Sequence, residues 1–342
     1  MSTLDLLRIE QGGDYVNVHE HRLPYTSKRL LGSGHTGWVD EVEDHLTGKV
    51  YARKKIPIHR HTRENRARVF KNEISTIRGF GNHHHIIEIF ATYVTAKDFG
   101  LILQPVASDG DLHNFLDLFW ERVDDTMTKN QLDERLETMR YVLQRAFGCL
   151  AAGLAFIHES RVRHKDVKPR NILVHRGTVI YTDFGYSFDF TGFSRSTTDG
   201  KPDAFTKRYS SPELSAETAR NRKSDIWALG CVFIEILSAL TVNRSLEPSD
   251  TTDFPTMMDQ LHEQIASIEV DHLPTSILKI VVQMTMRDPT QRLCAVHTAD
   301  AILKAQGFSC LDYATRPMKA WRKRVETDGC LSIIDEILDG CE

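Results

Sequence analysis

His164-Lys165-Asp166-Val167-Lys168-Pro169-Arg170-Asn171, followed after two short apolar runs by Asp183-Phe184-Gly185, decides the reading of this chain. Any one of these polar residues alone reads as a solvated loop position. As an ordered set of aspartate, lysine, asparagine and second aspartate they are not accounted for by chance.

Working outward, Gly32-Ser33-Gly34-His35-Thr36-Gly37 is a GxGxxG, a pattern shared with dinucleotide-binding folds. In those folds the glycines open a helix. Here Trp38-Val39-Asp40-Glu41-Val42 and a turn at Thr47-Gly48 lead into another strand. The better reading is a hairpin whose glycines let backbone amides close over phosphates. Tyr51-Ala52-Arg53-Lys54-Lys55-Ile56 then falls on the third strand and Glu73 on the helix after it. A compact ammonium can ligate phosphate only if it is held, and an opposing carboxylate holds it while keeping it charged. Lys54 is preferred to its neighbour Lys55 because it follows Ala52 by two and shares its strand face.

Strands are expected over residues 28–32, 38–44 and 50–56, a helix over 63–78, and two more apolar runs over 86–94 and 99–106. Beyond Gly110 the pattern turns helical, with Met139, Val142, Leu143, Ala146, Phe147, Leu150, Leu154 and Ile157 at three-and-four spacing. Residues 224–240 are apolar almost all round, which predicts a helix enclosed by its neighbours. Polar stretches at 121–131 and 192–203 are read as loops, and residues 1–22 as an unpatterned arm. His83-His84-His85 is taken as a solvated loop, and Arg60, Arg63, Arg66, Arg68 and Lys71 as an exposed helix face. Ile333, Ile334, Ile337 and Leu338 form a stripe expected to pack on the body of the protein.

Composition sets the outer bounds. A chain of 342 residues with 26% charged and 41% hydrophobic side chains is neither disordered nor fibrous. With 43 basic and 47 acidic groups, its net charge of -4 gives no field that predicts nucleic-acid or membrane binding. Six scattered cysteines without a CxxC pair read as reduced thiols, which predicts a cytoplasmic or nuclear location. No signal peptide is visible and no run approaches the ~20 apolar residues of a membrane span, so a soluble protein is expected.

Together these motifs resemble the eukaryotic protein kinase family, serine/threonine branch, over residues 25 to 307. The resemblance implies an α+β, bilobal protein kinase-like fold, with a small antiparallel β-sheet lobe carrying one helix and a larger, mainly α-helical lobe. It divides the chain into an N-terminal arm (1–24), a small lobe (25–106), a large lobe (107–307) and a C-terminal tail (308–342). Its implied activity is transfer of the γ-phosphoryl group of ATP, with Mg²⁺, to protein serine or threonine hydroxyls. The transition state of such a transfer is loose and charge-dispersed, so positioning and positive charge matter more than a potent nucleophile.

By that resemblance Asp166 aims the acceptor hydroxyl, Lys168 contacts the migrating group, and Asn171 and Asp183 hold Mg²⁺. Lys54 holds the α- and β-phosphates and Glu73 orients it, under the cover of Gly32, Ser33, Gly34 and Gly37. Val39, Ala52 and Leu173 sandwich adenine, and Leu103 guards the rear of its pocket. The hinge runs from Gln104 to Val106. Pro105 has no N–H, so the donor is placed at Val106, in a register open by one residue.

Thr206 through Glu213 resembles the family's substrate-docking segment, with Ser211 for its alanine. Arg292 is matched to Glu213, and Asp225 and Trp227 to the central helix. A small-molecule phosphotransferase usually lacks that segment, and an inactive scaffold commonly lacks the lysine or aspartates that Lys54, Asp166 and Asp183 supply. The implied partner is a protein with a serine or threonine acceptor, with no nucleic acid and no membrane, and a regulatory partner is left open. Lys165 stands where members activated by phosphorylation usually have arginine, which predicts a modest dependence on modification of Ser194, Ser196, Thr197 or Thr198.

Overall fold

The computed structural model describes residues 6–34, 37–129, 133–191, 207–215, 221–249 and 252–310. Its first strand, β1 (Asp14–Tyr15), lies within the stretch expected to be an arm. The following strands are β2 (Tyr25–Ser33), β3 (Trp38–Asp44) and β4 (Val50–Pro57). Helix α1 (Arg63–Phe80) comes next, then β5 (Glu88–Val94) and β6 (Asp98–Gln104). They form one six-stranded sheet in the order β1-β5-β6-β4-β3-β2. β1 adds in parallel at the edge, with Asp14 opposite Thr92, and every other pairing is antiparallel.

Alternation along these strands sends side chains to two faces. On one, Ala52, Ile56, Leu101 and Leu103 join Phe70, Ile77 and Phe80 of α1. On the other, Val42, Tyr51, Ala91, Tyr93 and Ile102 are covered by Ile9 and Leu23. Residues 6–24 therefore complete the small lobe instead of standing before it. Arg78 fixes them by gripping both oxygens of Asp14 at 2.7 Å, and Thr92 donates a further bond to the same carboxylate. Two paired residues are too short to leave a periodic signal in sequence.

The large lobe begins with α2 (Leu112–Lys129) and α3 (Glu134–Glu159), joined to the short strands β7 (Val162–Arg163), β8 (Ile172–His175), β9 (Thr178–Tyr181) and β10 (Phe188–Asp189). Helix α2 runs through much of the stretch read as a loop. Its polar residues are a solvent face, opposite buried Leu112, Phe115, Leu116, Phe119, Trp120 and Val123. After α4 (Pro212–Ser215) the chain enters α5 (Arg222–Thr241), then α6 (Phe254–Ala266), α7 (Thr275–Met284) and α8 (Ala295–Leu303).

Helices α3 and α5 are each long and apolar enough to cross a membrane, contrary to the expectation that no run is. Their apolar windows are 78% and 89% buried inside the fold, so protein and not lipid surrounds them. Residues 308–310 continue the lobe, with Phe308 buried and its carbonyl accepting from the Gly148 amide at 2.7 Å. Arg63, Arg68 and Lys71 lie exposed on α1, as the helix-face reading expects. His85 does not follow the solvated-loop reading, being fully buried. The apolar stripe at 333–338 lies outside the described residues.

Candidate active site

Lys54 points from β4 to the face shared with Ala52, and its Nζ stands 2.8 Å from Glu73 Oε1, Glu73 Oε2 and Asp183 Oδ1. Burial would lower its pKa, but the two carboxylates raise it, so the ammonium stays charged. Burial likewise works against ionised Asp183, yet Lys54, His164 and Lys168 hold that carboxyl below its usual range. Lys55 faces the other way, 3.0 Å from Glu20 and 3.6 Å from Asp98. The strand's alternation thus separates the two neighbouring lysines as the sequence suggested.

The second half of the constellation is held by α5. Asp225 accepts at 2.9 Å from the backbone amides of His164 and Lys165 and lies 2.9 Å from His158 Nε2. Burial opposes its charge, but this partnership with His158, Arg163 and His164 brings its pKa down to about 2. Asp166 then takes the Lys168 ammonium at 2.7 Å. Asn171 spends both amide protons on Asp166, at 2.8 Å on the backbone oxygen and 2.9 Å on Oδ2. Asn171 Oδ1 is thereby left as an oxygen donor in the cavity that Asp183 also lines.

Asp183 adopts a φ of +64°, a region sparsely used by non-glycine residues and found at functional sites. Asn72 stabilises the turn that follows, donating to the carbonyls of Phe184, Gly185 and Ser187 at 3.0 to 3.2 Å. Phe184 packs between Phe80 of α1 and His164, with ring centroids 5.2 and 4.7 Å away. Helix α1, the Asp183 turn and the Asp166 loop are thereby one packed unit.

A cavity of about 950 Å³ opens between the lobes, lined by Gly32, Ser33, Gly34, Gly37, Val39, Ala52, Lys54 and Leu103 from the sheet, with Asp166, Lys168, Asn171, Leu173 and Asp183 from below. Glu73 sits just behind it through Lys54. At the glycine hairpin the Gly34 amide donates to the Gly37 carbonyl at 2.8 Å. Gly37 has no room for a side chain, since a Cβ there would come within 1.9 Å of the Lys55 carbonyl oxygen. His35 and Thr36 lie outside the described residues.

At the hinge, the residues that line the cavity alternate with residues that pack inward. Pro105 and Ala107 line the cavity, while Gln104 turns its amide to Glu88 at 2.9 Å and Val106 packs against the core. The sequence left this register open by one residue, and Ala107, the residue after Val106, lines the cavity. Asp111, Arg170, Thr182 and Tyr186 also line the cavity. Asn72 escaped the sequence reading because a lone polar residue on a helix carries no periodic mark, and Ala107 because it has no functional side chain.

In the docking segment, Arg292 meets Glu213 as expected, and Arg292 also lies 5.0 Å from the Trp227 ring. Thr206 and residues 192–205 lie outside the described residues.

A two-lobed scaffold with a cleft of nucleotide size and this lysine–carboxylate constellation defines a phosphotransferase-like class. The protein kinase domain family matches residues 25–305, and the chain belongs to that family. Among similar proteins, serine/threonine-protein kinase PKH3 of Eremothecium gossypii is 26% identical over 302 residues, covering 85% of this chain and 37% of that protein. Mitogen-activated protein kinase kinase kinase A of Dictyostelium discoideum is 28% identical over 66% of this chain and 23% of its own length. Serine/threonine-protein kinase Nek8 of Danio rerio is 26% identical over 78% of this chain and 35% of its own length. The chain thus matches well under half of each of these relatives.

Proposed function

We propose that this chain is an ATP-dependent serine/threonine protein kinase. The observation that carries the reading is the position of Lys54, 2.8 Å from both Glu73 and Asp183, in the cavity that also holds Asp166, Lys168 and Asn171. Mg²⁺ bound to ATP would screen the phosphate charge and polarise the bond to be broken. Asp183 and Asn171 Oδ1 are hard oxygen donors that suit this ion. Lys54, kept charged by its two carboxylates, binds phosphate oxygens and orients the nucleotide. Asp166 accepts a hydrogen bond from the substrate hydroxyl and aims it, and takes its proton as the new P–O bond forms. Lys168 places positive charge beside that oxygen, where negative charge accumulates.

Serine/threonine selectivity is supported by Lys168, two residues past Asp166, and by the names of the relatives. The proposed partner is a protein bearing such an acceptor, with action in the cytoplasm or nucleus. Incubating the chain with γ-phosphate-labelled ATP, Mg²⁺ and a peptide library, then identifying the labelled amino acid, tests the proposal. Phosphoserine or phosphothreonine is expected, absent with Asp183→Asn. Dominant phosphotyrosine or no transfer would refute it.

A further inference from the structure

Away from the cleft, three buried side chains from three parts of the chain converge: His85 before β5, Cys149 in the middle of α3, and Cys310 after α8. Their candidate ligand atoms all lie within 4.8 Å of one another. The two thiols are hydrogen-bonded to each other, and Cys310 Sγ stands 3.6 Å from His85 Nε2. Zn–S bonds of about 2.3 Å and Zn–N bonds of about 2.0 Å at tetrahedral angles put sulfur and nitrogen ~3.5 Å apart, close to this separation.

The imidazole is also oriented for ligation. His85 Nδ1 lies 2.7 Å from the Val179 carbonyl, which can only accept, so Nδ1 carries the proton and Nε2 turns its lone pair toward Cys310. A ring nitrogen fixed on a backbone carbonyl is the usual support of a metal-bound histidine. Two helix glycines flanking Cys149 allow the other ligands to close in. At Gly148 a Cβ would come within 2.4 Å of the Phe308 carbonyl oxygen, and at Gly153 it would meet Tyr181 at 2.9 Å and His85 at 3.3 Å. A bulkier residue at either position would push the chain around Cys310 or His85 off the helix.

From this geometry we propose that His85, Cys149 and Cys310 bind a thiophilic metal ion, with Zn²⁺ as the ligand. Binding exchanges the two thiol protons, released to solvent, for one divalent ion. Two thiolates, one neutral imidazole and Zn²⁺ sum to zero charge, which suits a buried position where a net charge would be costly. Three protein ligands leave the fourth tetrahedral position to a further donor. Metal at this point would tie the segment entering β5 to α3 and to the end of the large lobe, across the boundary between the lobes. The site is independent of phosphoryl transfer and stands or falls apart from it.

The test uses the full chain purified under a non-chelating reductant, assayed for zinc content and then, after metal removal, titrated with Co²⁺. Expected are about one Zn²⁺ per chain, a tetrahedral Co²⁺ spectrum with a thiolate charge-transfer band, and a rise in melting temperature on adding Zn²⁺. Both metal signals should vanish in Cys149→Ser and Cys310→Ser and persist in Cys231→Ser, which alters another buried thiol outside the cluster. Should the cluster variants fail to fold, the unmodified chain decides alone. No stoichiometric zinc, Co²⁺ bound without the charge-transfer band, or metal loss in Cys231→Ser as well would overturn the proposal.

Discussion

Arg292 grips Glu213 with two parallel hydrogen bonds, Nη1 to Oε1 at 2.7 Å and Nη2 to Oε2 at 2.9 Å, across 79 residues of sequence. Its other donors reach the carbonyls of Met286, Lys223 and Arg287, so all five N–H groups are used. A buried fork of this kind ties the docking segment to the loop before α8. Removing one partner leaves the other charge buried without compensation. Arg292→Ala should destabilise the protein by about 3–5 kcal/mol. Arg292→Lys should recover little, because three mobile donors cannot copy the fork. Urea unfolding followed by tryptophan fluorescence reads the change, and a loss below ~1 kcal/mol for Arg292→Ala would contradict it.

Adjacent lysines on β4 predict opposite outcomes. Lys54→Met removes the ammonium held between Glu73 and Asp183, so phosphate binding and the ionised state of Asp183 both suffer. The expected loss in kcat/KM for peptide phosphorylation is at least ~100-fold. Lys55→Met breaks contacts to Glu20, Asp98 and the Trp38 ring, away from Glu73 and Asp183, and should change kcat/KM by less than about threefold. Equal losses in the two variants would show that the faces have been misassigned.

Those lysines also show why much of the site was legible. A two-residue period is enough to put Lys54 with Ala52 and Lys55 elsewhere, and the motif around Asp166 carries its own spacing. Features that depend on long-range packing left no such trace. β1 exists because Asp14 finds Arg78 and Thr92, and α2 continues to Lys129 because Val123 is buried against the lobe. His85 looked like part of a wet histidine run until α3 and the segment after α8 closed over it. At the hinge, which residues line the cavity is set by how Gln104 and Val106 pack, and residue type does not encode that.

Glu235 predicts a pH dependence near neutrality. Burial pushes its carboxyl up to about 7, against the opposing pull of the Tyr209 hydroxyl at 2.8 Å and the Arg208 guanidinium, while Glu247 adds to the rise. The folded value exceeds the ordinary 4.5, so the folded state holds this proton more tightly than the unfolded chain. Its contribution is present below pH ~4.5 and is lost as pH rises through about 7, up to ~3 kcal/mol. Glu235→Gln, which stays neutral, should therefore gain stability relative to the parent between pH 5 and pH 8. A stability difference that is flat with pH, measured by urea unfolding at both values, would show that Arg208 keeps this carboxylate ionised throughout.

Lys165 bears on control of activity. Its backbone is fixed, with φ at +71° and its amide held by Asp225 at 2.9 Å, so the side chain departs from a set point beside Asp166. An arginine there could clamp a phosphate with paired bonds, whereas lysine offers a mobile point charge. The candidate acceptors Ser194, Ser196, Thr197 and Thr198 lie outside the described residues, and the same stretch already carries the fixed acids Asp199 and Asp203. A weak ion pair of ~1 kcal/mol shifts a two-state equilibrium by less than about tenfold. Phosphatase-treated protein should therefore retain more than about a tenth of the peptide phosphorylation rate of autophosphorylated protein, and Lys165→Arg should widen the gap between the two forms. A loss of a hundredfold or more on dephosphorylation, reproduced by alanine at one of the four acceptors, would instead mean that Lys165 or another cation such as Arg195 serves a phosphate.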